Sequence, residues 1–248
     1  MSFPIPKIIR LEVTDSTNKE AFRHLAHEEL PEGSVIWASH QIAGQGHGGT
    51  SWESEPGKNL LFSLILYPEF LPPDRQFRLN QVISIGTMEG ITAFSGLNGF
   101  CIKWPNDIYF RNGKVSGMLI ENSILGNKFQ VSVVGIGINL NQQVFTSKAP
   151  NPLSLRNIAG KEFDLQQALN EVIGRIMHWY QQLKSGQFIQ IEETYYSNLL
   201  GYQTERQFRD EKGVFSGKIK GVDKHGRLLI ITSNGKQLAF ELKQVRFL

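Results

Sequence analysis

A single cysteine, Cys101, in 248 residues excludes an intrachain disulfide and fits a chain kept in a reducing cytoplasm. No apolar run approaches the ~20 residues that a membrane-crossing helix needs. The N-terminus lacks the basic region followed by an apolar stretch that marks a secretory leader. Six histidines are scattered without metal-ligand spacing, which gives no metal residues to name. Charge of one sign is scarce: 26 Lys and Arg stand against 23 Asp and Glu, a net of +3. That is too mild to imply nucleic acid by itself, but it suits a protein that handles anionic nucleotides. Internal repeats and low-complexity tracts are missing too. Cys101 sits in an apolar strand pattern, where a thiol is expected as buried filler rather than as a nucleophile.

What is present is an ordinary globular composition, 40% hydrophobic and 20% charged, long enough for one large domain and a small one. The most informative stretch runs from Lys103-Trp104-Pro105-Asn106-Asp107 through Gly113-Lys114-Val115-Ser116-Gly117 to Glu121. Phe100, Ile102 and Trp104 alternate with Cys101 and Lys103, which is strand periodicity. Pro105 cannot donate to a ladder, so the strand should stop or turn there. Asn112-Gly113 is the strongest short hairpin signal in the chain. Lys114 would open the returning strand, and Gly117 leaves room for a close approach to the backbone. One strand-turn-strand unit thus presents two lysines, a carboxylate and an amide, a means of holding a polyanion beside a rigid apolar sheet. Taken singly, each of these residues also reads as an ordinary turn or solvated position.

The rest of the chain surrounds this unit. Residues 8–13 read as a first strand, followed by Asp15-Ser16-Thr17-Asn18. Thr17 with Glu20 three residues on is a capping box, so a helix should begin at about Thr17. Ser16, Thr17 and Asn18 would gather hydroxyls and backbone N–H groups at that N-terminus, where polar or anionic atoms are favoured; simple capping explains them equally. Residues 35–39 form a second strand, which runs through Gln41 into a loop with four glycines in six residues from Gly44 and ends at Trp52, an apolar lid candidate. Such a loop can bring backbone N–H groups to a ligand. Residues 60–66 are a near-continuous apolar strand, as expected when both faces are covered. A striped helix over about 79–94 follows, then a strand over 115–121 and another over 129–138 that ends in Gly135-Ile136-Gly137-Ile138-Asn139. A strong amphipathic helix spans Leu165 to Leu183, and a further helix over 188–200 should be stopped by Gly201. From about Thr204 short strands over 214–222, 227–232 and 236–240 read as a small β-barrel of the SH3-like kind. The expected fold class is α+β: a catalytic domain over 1–203, with a mixed sheet packed by helices, and a small β domain over 204–248.

KWPND followed by GK-x-x-G strongly resembles the central motif of the biotin–protein ligases. D-S-T-N and G-I-G-I-N resemble two further motifs of that family, and the glycine loop resembles its adenylate-binding loop, usually A-G-R-G-R-R-G-R-x-W. The resemblance covers nearly the whole chain. It implies the biotin–lipoate ligase fold, similar to class II synthetases, and an ATP-dependent enzyme that makes biotinyl-5′-AMP and transfers biotin to a lysine of a biotin carboxyl carrier protein, with Mg²⁺ accompanying ATP. It implies Lys114 and Asp107 as catalytic residues: Lys114 on the carboxylate and α-phosphate, Asp107 orienting or deprotonating the incoming amine. For biotin it implies Ser16, Thr17, Asn18, Gln41, Gly44, Trp52, Lys114 and Gly117, with Ser16, Thr17 and Gln41 at the ureido ring. For the nucleotide it implies Gln45, Gly46, His47, Lys103, Asn106, Lys114 and Asn139. The direction of Lys103 is left open by strand parity.

The chain departs from the family pattern in the loop, where Gln45, His47, Gly48 and Thr50 stand at places usually held by arginine. A guanidinium neutralises phosphate in a way that glutamine or neutral histidine does not. A slow or non-catalytic biotin-binding homologue therefore remains an alternative, as does a lipoate or octanoyl ligase of the same fold. The chain begins at the first catalytic strand, so no DNA-binding winged helix and no DNA partner are expected. A homodimer stays open, because pattern alone does not identify edge strands. The glycine loop is expected to order when ligand binds.

Overall fold

The computed structural model describes residues 5–147 and 151–248. Its centre is a seven-stranded mixed sheet. In chain order the strands are β1 (Ile8–Thr14), β2 (Val35–Gln41), β3 (Leu60–Leu66), β4 (Phe100–Lys103), β5 (Asp107–Phe110), β6 (Gly113–Leu125) and β7 (Lys128–Ile138). Their spatial order is β1-β2-β3-β7-β6-β5-β4. Among the described residues of this sheet only the β1–β2 pair is parallel; the other neighbours run antiparallel. The helices are α1 (Thr17–Leu25), α2 (Phe77–Ser95), α3 (Leu155–Ala159), α4 (Leu165–Lys184) and α5 (Phe188–Ser197).

Strand alternation divides the core between two faces. Leu60, Phe62, Leu64 and Leu66 of β3, with Val134, Ile136 and Ile138 of β7, join the cluster that also holds Leu79, Val82, Ile83 and Ile85 of α2 and Leu169, Val172 and Ile176 of α4. Ile65, Ile36, Val131 and Val133 point the other way and pack with Ala21 of α1. Burying both faces of β3 explains why its sequence is almost wholly apolar. Ser63 is the one polar residue in that run and is fully buried. The helices α2 and α4 meet at unusually short range. A Cβ built on Gly86 would stand 2.6 Å from the Ile176 Cα, and one on Gly90 would stand 2.6 Å from the Val172 Cα.

A second, five-stranded antiparallel sheet follows: β8 (Glu205–Asp210), β9 (Gly213–Val222), β10 (Leu228–Thr232), β11 (Gln237–Phe240) and β12 (Arg246–Phe247), in the order β11-β10-β9-β8-β12. The strands β8 and β12 lack the alternating apolar pattern that marks the other three. The segment after α5 fastens the two sheets. Ile102 N donates to Asn198 O and Leu200 N to Ile102 O, both at 2.8 Å, while Gln203 N donates to Ile219 O at 3.1 Å.

Three local expectations are corrected. First, α1 is preceded by Ser16 in the capping position, and no side chain within the helix caps it. The Thr17–Glu20 capping box does not form, because Glu20 turns to Arg23 and the Thr17 N–H donates instead to Gln41 Oε1 at 2.7 Å. Second, the β5–β6 turn is Arg111-Asn112, with Arg111 at φ +52° and Gly113 already paired to Phe110. Gly113 is a glycine for packing, since a Cβ there would meet the Leu153 side chain at 2.5 Å. Third, α5 ends at Ser197, short of Gly201.

Gly86→Ala is expected to lower stability by about 1–3 kcal/mol through overpacking against α4, although alanine would add roughly 1 kcal/mol of helix propensity. Urea unfolding of the variant checks this, and an unchanged or raised midpoint would show that α2 and α4 have room to separate.

Candidate active site

Glycines clear one face of the sheet. Gly117 of β6 and Gly137 of β7 are paired neighbours, and Gly135 lies two residues along β7. A Cβ on Gly137 would come within 2.5 Å of the Trp52 indole, and one on Gly117 within 2.9 Å of it. Trp52 therefore lies against a floor made of backbone. A Cβ on Gly135 would collide with the Asn18 amide. Side chains from α1 and from the glycine loop thus rest where strand side chains would otherwise project.

Beside Trp52 stands an ion pair. Lys114 Nζ lies 2.7 Å from Asp107 Oδ1, with both side chains about three-quarters covered. The same ammonium is 5.5 Å from the Trp52 ring centroid. The backbone of Lys114 is gripped by the following loop: its N–H donates to Asn151 O at 2.8 Å, and its carbonyl accepts from Leu153 N at 2.9 Å. Asn139 is buried and donates to the Lys114 and Leu153 carbonyls at 3.3 and 3.4 Å. Asn106 is likewise buried and donates to Met118 O at 2.7 Å. Both amides therefore hold backbone in place around the lysine and the carboxylate.

Lys103 pairs in register with Asp107, which puts the two on one face of the sheet. Its ammonium is 3.3 Å from the Tyr109 hydroxyl, 4.7 Å from the Tyr109 ring and 5.5 Å from the Phe247 ring. Burial pushes the Lys103 pKa down; Asp107 works against that shift and Lys114 adds to it. Burial also pushes the Tyr109 hydroxyl up to about 12, with Asp107 adding to the effect. A second cation therefore sits within electrostatic reach of the Lys114–Asp107 pair. Burial raises the Cys101 thiol pKa, and its sulfur lies 3.8 Å from the Tyr109 carbonyl.

The residues at the start of α1 form a connected polar group. Gln41 Oε1 accepts from the Thr17 N–H and, at 3.1 Å, from its hydroxyl. Ser63 Oγ lies 2.8 Å from Thr17 Oγ1 and 2.5 Å from Asn18 Oδ1. Asn18 Nδ2 donates to Glu121 Oε2 at 2.7 Å and to Leu119 O at 3.2 Å. Ser16 is buried directly before them. Asp15 closes the group on the outside, its carboxyl held down at about 2 by the Arg23 guanidinium. Ser63 belongs to this network without having been singled out from sequence, and Glu121 joins it although the sequence reading gave it no role. A serine inside Leu60-Leu61-Phe62-Ser63-Leu64-Ile65-Leu66 was the available signal.

The glycine loop is a closed hairpin. Gly46 N donates to Thr50 O at 2.6 Å, Trp52 N donates to Gly44 O at 2.8 Å, and Gln45 pairs with Ser51. Gly48 and Gly49 take φ +67° and +79°. A Cβ at Gly44 would meet the Trp52 carbonyl at 3.0 Å and Gln41 Nε2 at 3.2 Å, so Gly44 lets the loop lie against the α1 polar group. His47 stands at the loop tip. Two open concavities, of about 780 and 580 Å³, lie elsewhere and are lined by none of the residues expected at the site. Among the described residues no three His, Cys, Asp or Glu come together as a metal cluster, and no helix is long and apolar enough to cross a membrane.

Comparison with known proteins gives a consistent relationship. Residues 11–139 match the model of the biotin/lipoate A/B protein ligase family, and residues 207–245 match that of the biotin protein ligase C-terminal domain. The chain is 32% identical over 233 residues to the bifunctional ligase/repressor BirA of Bacillus subtilis, covering 92% of this chain and 70% of that protein. It is 28% identical over 230 residues to the biotin–[acetyl-CoA-carboxylase] ligase of Paracoccus denitrificans, covering 91% and 94%. The solved biotin protein ligase of Aquifex aeolicus in complex with biotin and ATP superposes with a TM-score of 0.79 at 28% identity, covering 98% of this chain and 99% of that one.

Gly137→Ala should lift the Trp52 indole from its floor and loosen the loop. Chymotryptic cleavage after Trp52 is expected to accelerate about fivefold or more, in line with lower local stability; an unchanged rate would show that the indole does not depend on the bare strand.

Proposed function

We propose that this chain, which belongs to the biotin/lipoate A/B protein ligase family, is an ATP-dependent ligase that activates biotin and attaches it to a lysine of a carrier protein. Two steps are involved. A carboxylate oxygen of biotin attacks the α-phosphorus of ATP, pyrophosphate leaves, and biotinyl-5′-AMP remains. The ε-amine of the acceptor lysine then attacks the acyl carbon, the bond to the AMP oxygen breaks, and an amide and AMP result.

The observation that best supports the site assignment is the Lys114–Asp107 pair at 2.7 Å, set beside Trp52 and the Gly117–Gly137 floor. In the reading we propose, Ser16, Thr17, Asn18 and Gln41 meet the ureido ring, while Gly44 and Gly117 admit the bicycle close to backbone. Ligand reaching the floor stacks with or shifts Trp52, which then covers the intermediate and keeps out water that would hydrolyse it. Lys114 binds the carboxylate and the α-phosphate. When it turns to phosphate it releases Asp107, whose carboxylate is then available to accept a proton from the attacking amine. Lys103, Asn106 and Asn139 line the nucleotide side with Gln45, Gly46 and His47. Magnesium enters with ATP as the substrate complex and neutralises its phosphates.

We further propose a biotin carboxyl carrier domain as the acceptor, a cytoplasmic location, and a division between the catalytic part, 1–203, and the small β part, 204–248. At the edge strand β1, Ile8 and Val13 are exposed; an edge of this kind can pair with a second copy.

An intact-mass assay tests the reading. A biotin carrier domain incubated with the protein, biotin and MgATP should gain the mass of one biotin, and should not do so without ATP. No gain, with biotin still binding by calorimetry, would overturn the ligase assignment. Lys114→Ala should reduce adenylate formation more than tenfold, about 1.4 kcal/mol or more of transition-state stabilisation, with folding intact; near-normal turnover would remove its assigned role. His47→Arg should slow adenylate release by adding a fixed cation to the loop. Unchanged or faster release would argue against the loop's charge as the limit on retention.

A further inference from the structure

Between Gly44 and Trp52 the chain has no lysine or arginine, although the loop flanks the proposed nucleotide side. A cation reaches it from elsewhere. Lys243 lies in the turn between β11 and β12, and its ammonium donates to Gly48 O at 2.7 Å across 195 residues of sequence. Both ends of this contact have unusual backbone. Lys243 takes φ +70°, a left-handed conformation that suits glycine far better than lysine. Gly48 takes φ +67°, and a Cβ there would stand 2.7 Å from Lys243 Nζ and 2.9 Å from its Cε. The loop is thus bare where the lysine arrives, and the turn holds a strained conformation that delivers it. One N–H of the ammonium meets Gly48; a lysine carries two more, and Lys243 is solvent-exposed. Four residues further on, Phe247 packs its ring 5.5 Å from the Lys103 ammonium. The end of the second sheet therefore touches both the glycine loop and a lysine of the nucleotide side.

We propose that Lys243 supplies the cation that the glycine loop lacks and that its ammonium binds the phosphates of ATP. This rests on the ligase reading and adds to it a nucleotide-binding residue from the second sheet. The bond to Gly48 holds the ammonium at the loop tip before ATP arrives, so the charge is placed with little ordering cost when phosphate binds.

The test uses the full chain with Lys243→Met, Lys243→Arg and Lys243→Gly. Glycine suits φ +70°, so Lys243→Gly controls for folding: its unfolding midpoint should not fall. Two readouts are taken: KM for ATP in biotin-dependent pyrophosphate release, and the Kd of the β,γ-imido analogue of MgATP by calorimetry with biotin present. Lys243→Met and Lys243→Gly should raise both by about tenfold, consistent with the loss of one charge-assisted contact. The salt dependence of analogue binding should flatten, and biotin affinity without nucleotide should stay within about twofold, since the ammonium reads phosphate and not biotin. Lys243→Arg should remain near the unsubstituted protein. Unchanged analogue affinity in Lys243→Met overturns the proposal. So does an equal loss of biotin affinity, which would make the lysine a latch for the loop. If the unsubstituted protein binds the analogue but releases no pyrophosphate, the ligase reading fails and analogue affinity still decides the role of Lys243. If it binds no nucleotide, both fail.

Discussion

Side chains on a strand stand nearly perpendicular to the sheet, so a flat group can lie against two neighbouring strands only where both omit a side chain. Gly117 and Gly137, paired across β6 and β7, meet this condition, and the Trp52 indole occupies the space, with a Cβ at either position falling within 2.5–2.9 Å of it. The rest of the site depends on this clearance. It lets Trp52 approach Lys114, lets the glycine loop fold back over the sheet, and leaves the α1 polar group at the edge of the same floor. Gly135 extends the floor under Asn18. The opposite face of the same strands carries Val134, Ile136 and Ile138 into the main core, so the floor is bare on one side and anchored on the other.

The charges follow from that geometry. Lys114 and Asp107 are about three-quarters covered and hydrogen-bonded to each other, where an unpaired charge would be costly. In the function proposed above, that pairing is the resting arrangement, which an anionic ligand would exchange by taking the ammonium and freeing the carboxylate. Burial lowers the Lys103 pKa while Asp107 opposes that shift, so the two share one electrostatic environment. With no lysine or arginine in the glycine loop, the positive potential of the site rests on a few lysines from separate elements.

Much of this was legible in the sequence because the key residues lie close together along it. Lys103, Asp107, Lys114 and Gly117 sit on three consecutive antiparallel strands, β4, β5 and β6, whose turn signals are local, and the long helices α2 and α4 announce themselves by period. What was not legible depends on contacts between distant segments. Asn112-Gly113 suggested the turn one residue too late, because Gly113 is required for the approach of Leu153 and Arg111 takes the left-handed position instead. Thr17 and Glu20 suggested a capping box, but Gln41 from β2 supplies the acceptor. Ser63 joins the α1 group from the middle of an apolar strand, where sequence shows only that something polar is buried. The strands β8 and β12 escaped because one buries only Phe208 fully and the other is two residues long.

The second sheet is more than an appendage by the same physical criteria. Trp104 Nε1, in the middle of the site motif, donates to Gly226 O at 3.0 Å. Tyr195 donates to Pro105 O at 3.1 Å, and Tyr196 exchanges bonds with the Val222 backbone at 3.0 and 3.3 Å. The Trp104 and Tyr195 bonds grip the turn that carries Asn106 and Asp107, the Tyr196 bonds tie α5 to β9, and Lys243 and Phe247 touch the loop and Lys103. A rigid turn fixes where Asp107 lies relative to Lys114, and small misplacements of such groups are costly to reaction rates. Displacing the second sheet would therefore disturb the ion pair and the loop together, even though it contributes no residue to the floor itself.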